Sequence, residues 1–139
     1  MVAFENHNFL LIDDSEIDSI ITSKILQIAG LPKPHIRVRN AFTALDFLKT
    51  EYDKLVSLAT PDSSLIILLD IHMPEINGFD FLDRFEEMPD IVKDNSKIFL
   101  LTSSIDPTDI ERANNNAYVV RVLNKPLNTS ELLYYFEEF

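Results

Sequence analysis

Four short apolar runs punctuate the chain: Phe9-Leu10-Leu11-Ile12, Leu65-Ile66-Ile67-Leu68-Leu69, Ile98-Phe99-Leu100-Leu101, and a stretch from Tyr118 to Leu123 interrupted by Arg121. Runs of this length without polar alternation predict strands covered on both faces. A fifth segment, Ile36-Arg37-Val38-Arg39, alternates apolar and basic residues, which suits a strand at a sheet edge with one solvated side. Between these runs the period becomes helical. Ile17, Ile20, Ile21, Ile25 and Ile28 build one apolar stripe expected to face the core, with Gly30 and Pro32 as a stop. Phe42, Leu45, Leu48, Tyr52, Leu55 and Val56 predict a second helix before the turn cluster Pro61-Asp62-Ser63-Ser64. Phe79, Leu82 and Phe85 mark a third. Asp106-Pro107 supplies an N-cap and a proline at the first position of a fourth. Asn128 and Glu131 stand at capping-box spacing and open a fifth, with Leu132, Leu133 and Phe136 on its apolar face.

Strands alternating with helices five times imply crossover connections, and so an α/β fold: a doubly wound five-stranded parallel sheet with five helices on both faces. The length of 139 residues fits one domain spanning 1–139, and no internal repeat or low-complexity linker divides it. Composition removes whole classes of function. With 46% hydrophobic and 25% charged residues the chain is expected to be globular rather than disordered. The absence of cysteine excludes disulfides and thiolate metal sites. No apolar run approaches the roughly 20 residues of a membrane span, and the first residues lack a signal-peptide pattern, so a cytoplasmic location without a membrane partner is expected. A formal net charge of -11 argues against nucleic acid as a partner.

In an open parallel sheet the ligand site lies beyond the carboxyl ends of the strands, so the residues that end each strand are the candidates. The first strand ends on Asp13-Asp14, the third on Asp70, the fourth on Thr102-Ser103-Ser104 and the fifth on Asn124-Lys125-Pro126. Taken singly each has a plainer reading. Asp13-Asp14 could cap a helix, Asp70 could be a turn residue, Thr102 loop polarity, and Lys125-Pro126 a turn. Taken together, three carboxylates at one sheet end repel one another and call for a cation. With only hard oxygen donors and no histidine pair at ligand spacing, Mg2+ fits better than Zn2+. Such an ion beside an aspartate nucleophile, with Lys125 as a second positive charge and the Thr102 hydroxyl as a donor, suits phosphoryl transfer to Asp70. No aromatic cofactor is expected from Phe42, Phe47, Phe79, Phe81 and Phe85, whose spacing is that of core positions.

These residues closely resemble the response-regulator receiver domains of two-component signalling: Leu10-Leu11-Ile12-Asp13-Asp14-Ser15, then Leu68-Leu69-Asp70-Ile71-His72-Met73-Pro74 with Gly78, then Leu100-Leu101-Thr102-Ser103, then Asn124-Lys125-Pro126-Leu127. The segments appear in the family's order and span nearly the whole chain. The resemblance implies a flavodoxin-like strand order 2-1-3-4-5, Asp70 as phosphoacceptor, and Asp14 as direct metal ligand. It implies Asp13 as a partner reaching the metal through water, and the His72 backbone carbonyl as the remaining protein ligand. Thr102 takes the place of the switch hydroxyl, Lys125 that of the phosphate-binding lysine, and Lys125-Pro126 that of a peptide usually cis. The implied function is phosphorelay signal transduction. A histidine kinase or histidine phosphotransfer protein stands upstream and a protein target downstream. Phosphorylation switches the face of the fourth helix, fifth strand and fifth helix toward partner binding or a homodimer. Signalling is expected to pass by protein contact, and the chain to catalyse only its own phosphorylation and dephosphorylation.

Three departures from the family pattern stand out. The interval between Asp14 and Asp70 is long, with the excess around residues 50–64. Val122 stands where many relatives carry Phe or Tyr, and Tyr118 is too far along the strand to replace it. Asn114-Asn115-Asn116-Ala117 lacks the glycine often found before the fifth strand, which predicts a polar turn. The His72 side chain lies near the site and is assigned a structural role. Competing functions are a flavin carrier, disfavoured because Gly30 and Gly78 are the only glycines and two acids would repel a flavin phosphate; an Asp-nucleophile phosphatase, which would need a general acid where His72 stands; and a docking receiver that acts without phosphorylation.

Overall fold

In the computed structural model, which describes residues 8–30, 36–50, 65–103 and 106–138, the apolar runs become strands and the periodic segments between them helices. In chain order these are β1 (Asn8–Ile12), α1 (Glu16–Ile28), β2 (Ile36–Val38), α2 (Ala41–Thr50), β3 (Leu65–Asp70), α3 (Gly78–Phe85), α4 (Asp90–Asp94), β4 (Ser96–Thr102), α5 (Pro107–Asn114), β5 (Val119–Asn124) and α6 (Thr129–Glu138). The strands pair in the order β2-β1-β3-β4-β5, every pair parallel, which is the doubly wound order that the family resemblance implies.

Strand alternation sorts the core into two layers. Leu10, Ile12, Ile67, Leu69, Ile98 and Leu100 pack with Ala44, Leu45 and Leu48 of α2, Phe79, Phe81, Leu82 and Phe85 of α3, and Ala113 of α5. On the opposite face Phe9, Leu11, Ile66, Leu68, Phe99, Leu101 and Leu123 pack with Leu26 of α1 and Leu132 of α6. The central strand β3 is buried at all six positions, whereas β5 at the sheet edge is half-buried along most of its length.

Three local readings change. First, α1 does not bury its isoleucine stripe. It turns Ser19, Thr22 and Leu26 inward, Ile25 is half-buried, and Ile17 and Ile28 stay 71% and 85% exposed, with Ile20 and Ile21 also exposed. The inward positions keep a helical spacing, and their small side chains let the first turns approach Asp13 and Asp70, beside which Ser19 and Thr22 line a small cavity. Isoleucines there would hold the helix off the strand ends. Second, there are six helices among the described residues rather than five. The added helix, α4, starts after Pro89, which has no N–H to continue a helix from α3, and buries Val92 as its one apolar anchor. One buried residue leaves no periodicity to detect. Third, Phe42 of α2 is 40% exposed, with the Arg84 guanidinium 5.4 Å over its ring. The predicted second-helix positions Tyr52, Leu55 and Val56, the turn at 61–64 and most of the long interval at 50–64 lie outside the described residues, as do Pro32 and Ser104.

Capping follows the sequence in part. Asp106 caps α5, its side chain accepting from the Thr108 N–H at 2.9 Å, with Pro107 following. Asn128 accepts from the Ser130 N–H at 2.9 Å before α6. The polar turn before β5 is built on Asn116, whose side chain accepts from the Tyr118 N–H at 2.9 Å. A full capping box that the pattern did not announce opens α3, Asn77 and Asp80 each accepting the other's backbone N–H at 3.0 Å.

Gly78 follows this cap in close contact with the end of β3. A Cβ there would lie 2.8 Å from the Asp70 carbonyl oxygen and 3.0 Å from the Ile71 Cα, and the Gly78 N–H already donates to the Ile71 carbonyl at 2.8 Å. Both obstacles are backbone, so neither can rotate away. Gly78→Ala is expected to destabilise the fold by about 1–3 kcal/mol despite alanine's better helix propensity. Thermal unfolding checks this, with a fall in Tm of about 3–10 °C expected.

Candidate functional site

Strand register assembles the site. Ile12 pairs with Leu69, Asp70 with Leu101, and Thr102 with Asn124. Asp13, Asp70, Thr102 and Asn124 therefore stand side by side at the carboxyl ends of β1, β3, β4 and β5, with Lys125 next in the chain. This is where the strand order turns back, since β1 is flanked by β2 on one side and β3 on the other.

Ser15, not either aspartate, is the N-cap of α1, its Oγ accepting from the Asp18 N–H at 3.2 Å. Asp13 and Asp14 precede the helix and keep their carboxylates for the pocket. Asp13 is 6% exposed; its Oδ1 accepts from the Ser15 N–H at 2.9 Å and its Oδ2 faces Lys125. Asp14 lies exposed at the rim. Carboxylate oxygens of Asp13, Asp14 and Asp70 all fall within 4.8 Å of one another. Thr102 is fully buried, and its carbonyl accepts from the Lys125 N–H at 2.8 Å, tying the ends of β4 and β5 together. The Lys125-Pro126 peptide is cis, as the resemblance implies.

Lys125 is the hub. Its ammonium donates to Asp13 Oδ2 at 2.8 Å and to Asp18 Oδ2 at 3.0 Å, and sits 3.5 Å from Asp70 Oδ2. Burial opposes the charged lysine, yet hydrogen bonds to Asp13 and Asp18 and the attraction of Asp70 and Asp13 prevail and hold its pKa above the ordinary value. At Asp70 burial prevails. Desolvation, abetted by the Asp13 charge and partly offset by Lys125 and the His72 N–H, raises the carboxyl from 3.8 to about 6. The His72 N–H donates to Asp70 Oδ1 over a long 3.4 Å.

The structure thus brings together Asp13, Asp14, Asp70, Thr102 and Lys125. It places the His72 backbone beside them but not the His72 ring, which is 63% exposed with Nε2 3.5 Å from Asp109 Oδ2 on α5. Asp18 was missed by the strand-end reading. An acid in the first turn of a helix is ordinarily explained by the helix dipole, so only its position one turn after Asp14 could have pointed to the pocket. The cluster suits a hard divalent cation. Three carboxylates converge with only oxygen atoms to offer, and the one that is central stays hard to ionise despite a lysine beside it.

Comparison with known proteins agrees with this geometry. Residues 9–137 match the family model described as the response regulator receiver domain. The response regulator Rcp1 of Synechocystis sp. is 28% identical over 125 residues, covering 88% of this chain and 79% of Rcp1. A crystal structure of a response regulator receiver protein from Dyadobacter fermentans is 29% identical with a TM-score of 0.80, covering 95% of this chain and 96% of that one. A two-component response regulator from Cytophaga hutchinsonii gives the same identity and TM-score over 95% of each chain. The Mn2+-bound form of Rcp1 superimposes with a TM-score of 0.65 at 25% identity, over 94% of this chain and 88% of that one. With the strand order and the acidic cluster in place, a match over this span means that the chain belongs to the response regulator receiver domains of two-component signalling.

Proposed function

We propose that this receiver takes a phosphoryl group onto Asp70 from a histidine kinase or histidine phosphotransfer protein, with Mg2+ bound, and so switches a protein-interaction face. The observation that carries the reading is a buried aspartate at the end of the central strand, held among two further carboxylates and facing a lysine ammonium. In transfer, an Asp70 carboxylate oxygen forms a bond to phosphorus as the bond from phosphorus to the donor nitrogen breaks, its electron pair staying on that nitrogen. Asp13, Asp14, Asp70 and the His72 carbonyl would hold the cation, in keeping with the Mn2+-bound form of Rcp1. When bound, the cation neutralises charge that builds on the phosphoryl oxygens. Lys125 supplies a second positive charge beside Asp70, and Thr102 donates its hydroxyl to a phosphoryl oxygen, a bond that exists only after transfer.

That new contact is the switch. It draws Thr102 toward Asp70 and, through the carbonyl that accepts from the Lys125 N–H, shifts the end of β5, favouring one of two arrangements of the face formed by α5, β5 and α6. Val122, half-buried against the core, provides no aromatic ring to rotate, so the shift is carried by the backbone and by α5. The partner of that face is a protein target or a second copy of the chain, acting in the cytoplasm. The chain catalyses its own phosphorylation and dephosphorylation only. A phosphatase acting on other substrates would need a general acid over Asp70, and the His72 ring turns instead to Asp109.

Intact mass after treatment with acetyl phosphate or phosphoramidate tests the site. A gain of about 80 Da is expected in Mg2+, absent in chelator and absent in Asp70→Asn. A gain that survives Asp70→Asn would remove the assignment, and no gain in a folded protein would favour a docking receiver that works without phosphorylation.

The perturbed carboxyl gives a separate expectation. Because the folded pKa of about 6 lies above the ordinary 3.8, the native state holds more protons between those values. The Asp70 contribution to stability is therefore complete below about pH 4 and is lost as pH rises through 6. In chelator, Asp70→Asn should stabilise the protein by about 1–3 kcal/mol at pH 7.5 and by little at pH 4. Mg2+ should raise the wild-type Tm at pH 7.5, less at pH 5 where protons compete for the ligands, and much less in Asp70→Asn. Thermal unfolding across pH with and without Mg2+ measures all three.

A further inference from the structure

We propose that Asp18 is a positioning residue that holds the Lys125 ammonium at the mouth of the pocket and thereby restrains phosphoryl transfer to Asp70, an inference that rests on Asp70 being the phosphoacceptor. The ammonium has three donors. Two make hydrogen bonds of ordinary length, to Asp13 at 2.8 Å and to Asp18 at 3.0 Å, while Asp70 at 3.5 Å lies beyond that range. At rest, then, the lysine is engaged by its neighbours more closely than by the aspartate it must assist.

The two engaging carboxylates differ. Asp13 is buried just beyond the end of β1 and belongs to the acidic cluster, whereas Asp18 belongs to the first turn of α1 and its side chain is 42% exposed. The turn that carries Asp18 is fixed, because its N–H donates to the Ser15 cap at 3.2 Å. Asp18 therefore pulls the ammonium outward along a defined direction. A phosphoryl group on Asp70 brings close to two negative charges and needs a lysine donor in the transition state as well as in the product. One donor remains for that, and with the other two held by Asp13 and Asp18 the ammonium stands 3.5 Å from Asp70 rather than at hydrogen-bond distance. The lysine itself is only 12% exposed and cannot compensate readily with water. Removing the Asp18 charge leaves Asp13 as the ammonium's one remaining close carboxylate partner and lets it shift toward Asp70, so the wild-type residue acts as a brake on uptake.

The test follows initial phosphorylation rates with acetyl phosphate in Mg2+, read by intact mass, for the wild type, Asp18→Asn, Asp18→Glu, Lys125→Gln and the Asp18→Asn/Lys125→Gln pair. Asp18→Asn is expected to be about two- to fivefold faster than wild type, the range for a partly exposed ion pair. Asp18→Glu, which keeps the carboxylate, should return close to the wild-type rate. In the Lys125→Gln background Asp18→Asn should change nothing. A slower or unchanged Asp18→Asn overturns the proposal, as does equal acceleration without the lysine, which would assign the effect to simple repulsion of an anionic donor. A double-mutant cycle on thermal stability, without metal or phosphodonor, reads the contact itself, and zero coupling between positions 18 and 125 also overturns it. Normal uptake on Asp70 with an unresponsive Asp18→Asn defeats this inference alone. A wild type that takes up no phosphoryl group defeats the phosphoacceptor reading and this inference with it.

Discussion

Crowding of the Asp13, Asp14 and Asp70 carboxylates at one end of the sheet, with Asp13 and Asp70 out of water, is the constraint around which this domain is built. A parallel sheet whose strands end on acids gathers those acids whether or not they attract, because the ladder hydrogen bonds set the register and the register sets the neighbours. Oxygens from all three lie within 4.8 Å of one another, and burial keeps Asp70 from ionising at its ordinary pH. The stable answer is a shared cation. Lys125 supplies part of it by touching Asp13 and Asp18 and standing beside Asp70, and the proposed divalent ion supplies the rest. Removing the lysine while keeping the acids would leave buried charge without compensation, which is why such a cluster is both poised for chemistry and costly to the fold.

Packing around the cluster is arranged to permit it. Gly78 lets the start of α3 lie against the Asp70 carbonyl, and Ser19 and Thr22 let α1 lie close to Asp13. Larger side chains at any of these positions would widen the pocket and separate the charges from their partners. The consequence for α1 is unusual. Its isoleucines are left on the outer surface while smaller polar residues go inward, so the helix gives up apolar burial for proximity to the strand ends.

Much of the fold was legible because its signals are redundant. The run Leu65 to Leu69 could only be a buried strand once three similar runs and four amphipathic segments alternated with it, and Asp70 at its end inherited a position from that assignment. The five residues that converge, Asp13, Asp14, Asp70, Thr102 and Lys125, were readable as strand-end residues. Features that depend on rotation or on single contacts were not. The phase of α1 was misread because five isoleucines outvote Ser19, Thr22 and Leu26 on hydropathy, and hydropathy does not record that the neighbouring strand ends need room. Short α4 carries one buried residue and no period. The His72 ring was placed near the site by its number, but a side chain on a loop has freedom that strand alternation does not limit, and it found Asp109.

Coupling from the pocket to the surface needs a path, and the contacts offer two that share a beginning at Asp70. One runs along the backbone. The Lys125 N–H donates to the Thr102 carbonyl, so the residues proposed to meet the phosphoryl group from β4 and β5 are joined before it arrives, and a displacement of either moves both. The other leaves through His72, whose N–H reaches Asp70 and whose ring reaches Asp109 on α5. Both end on the same face, at α5 and the half-buried edge strand β5. A rotating aromatic ring at position 122 would report the state of Thr102 by filling or leaving a cavity, an all-or-none packing change. Valine cannot do that, so in this chain the proposed switch between two arrangements of the α5 and β5 face has to be carried by hydrogen bonds and strand displacement.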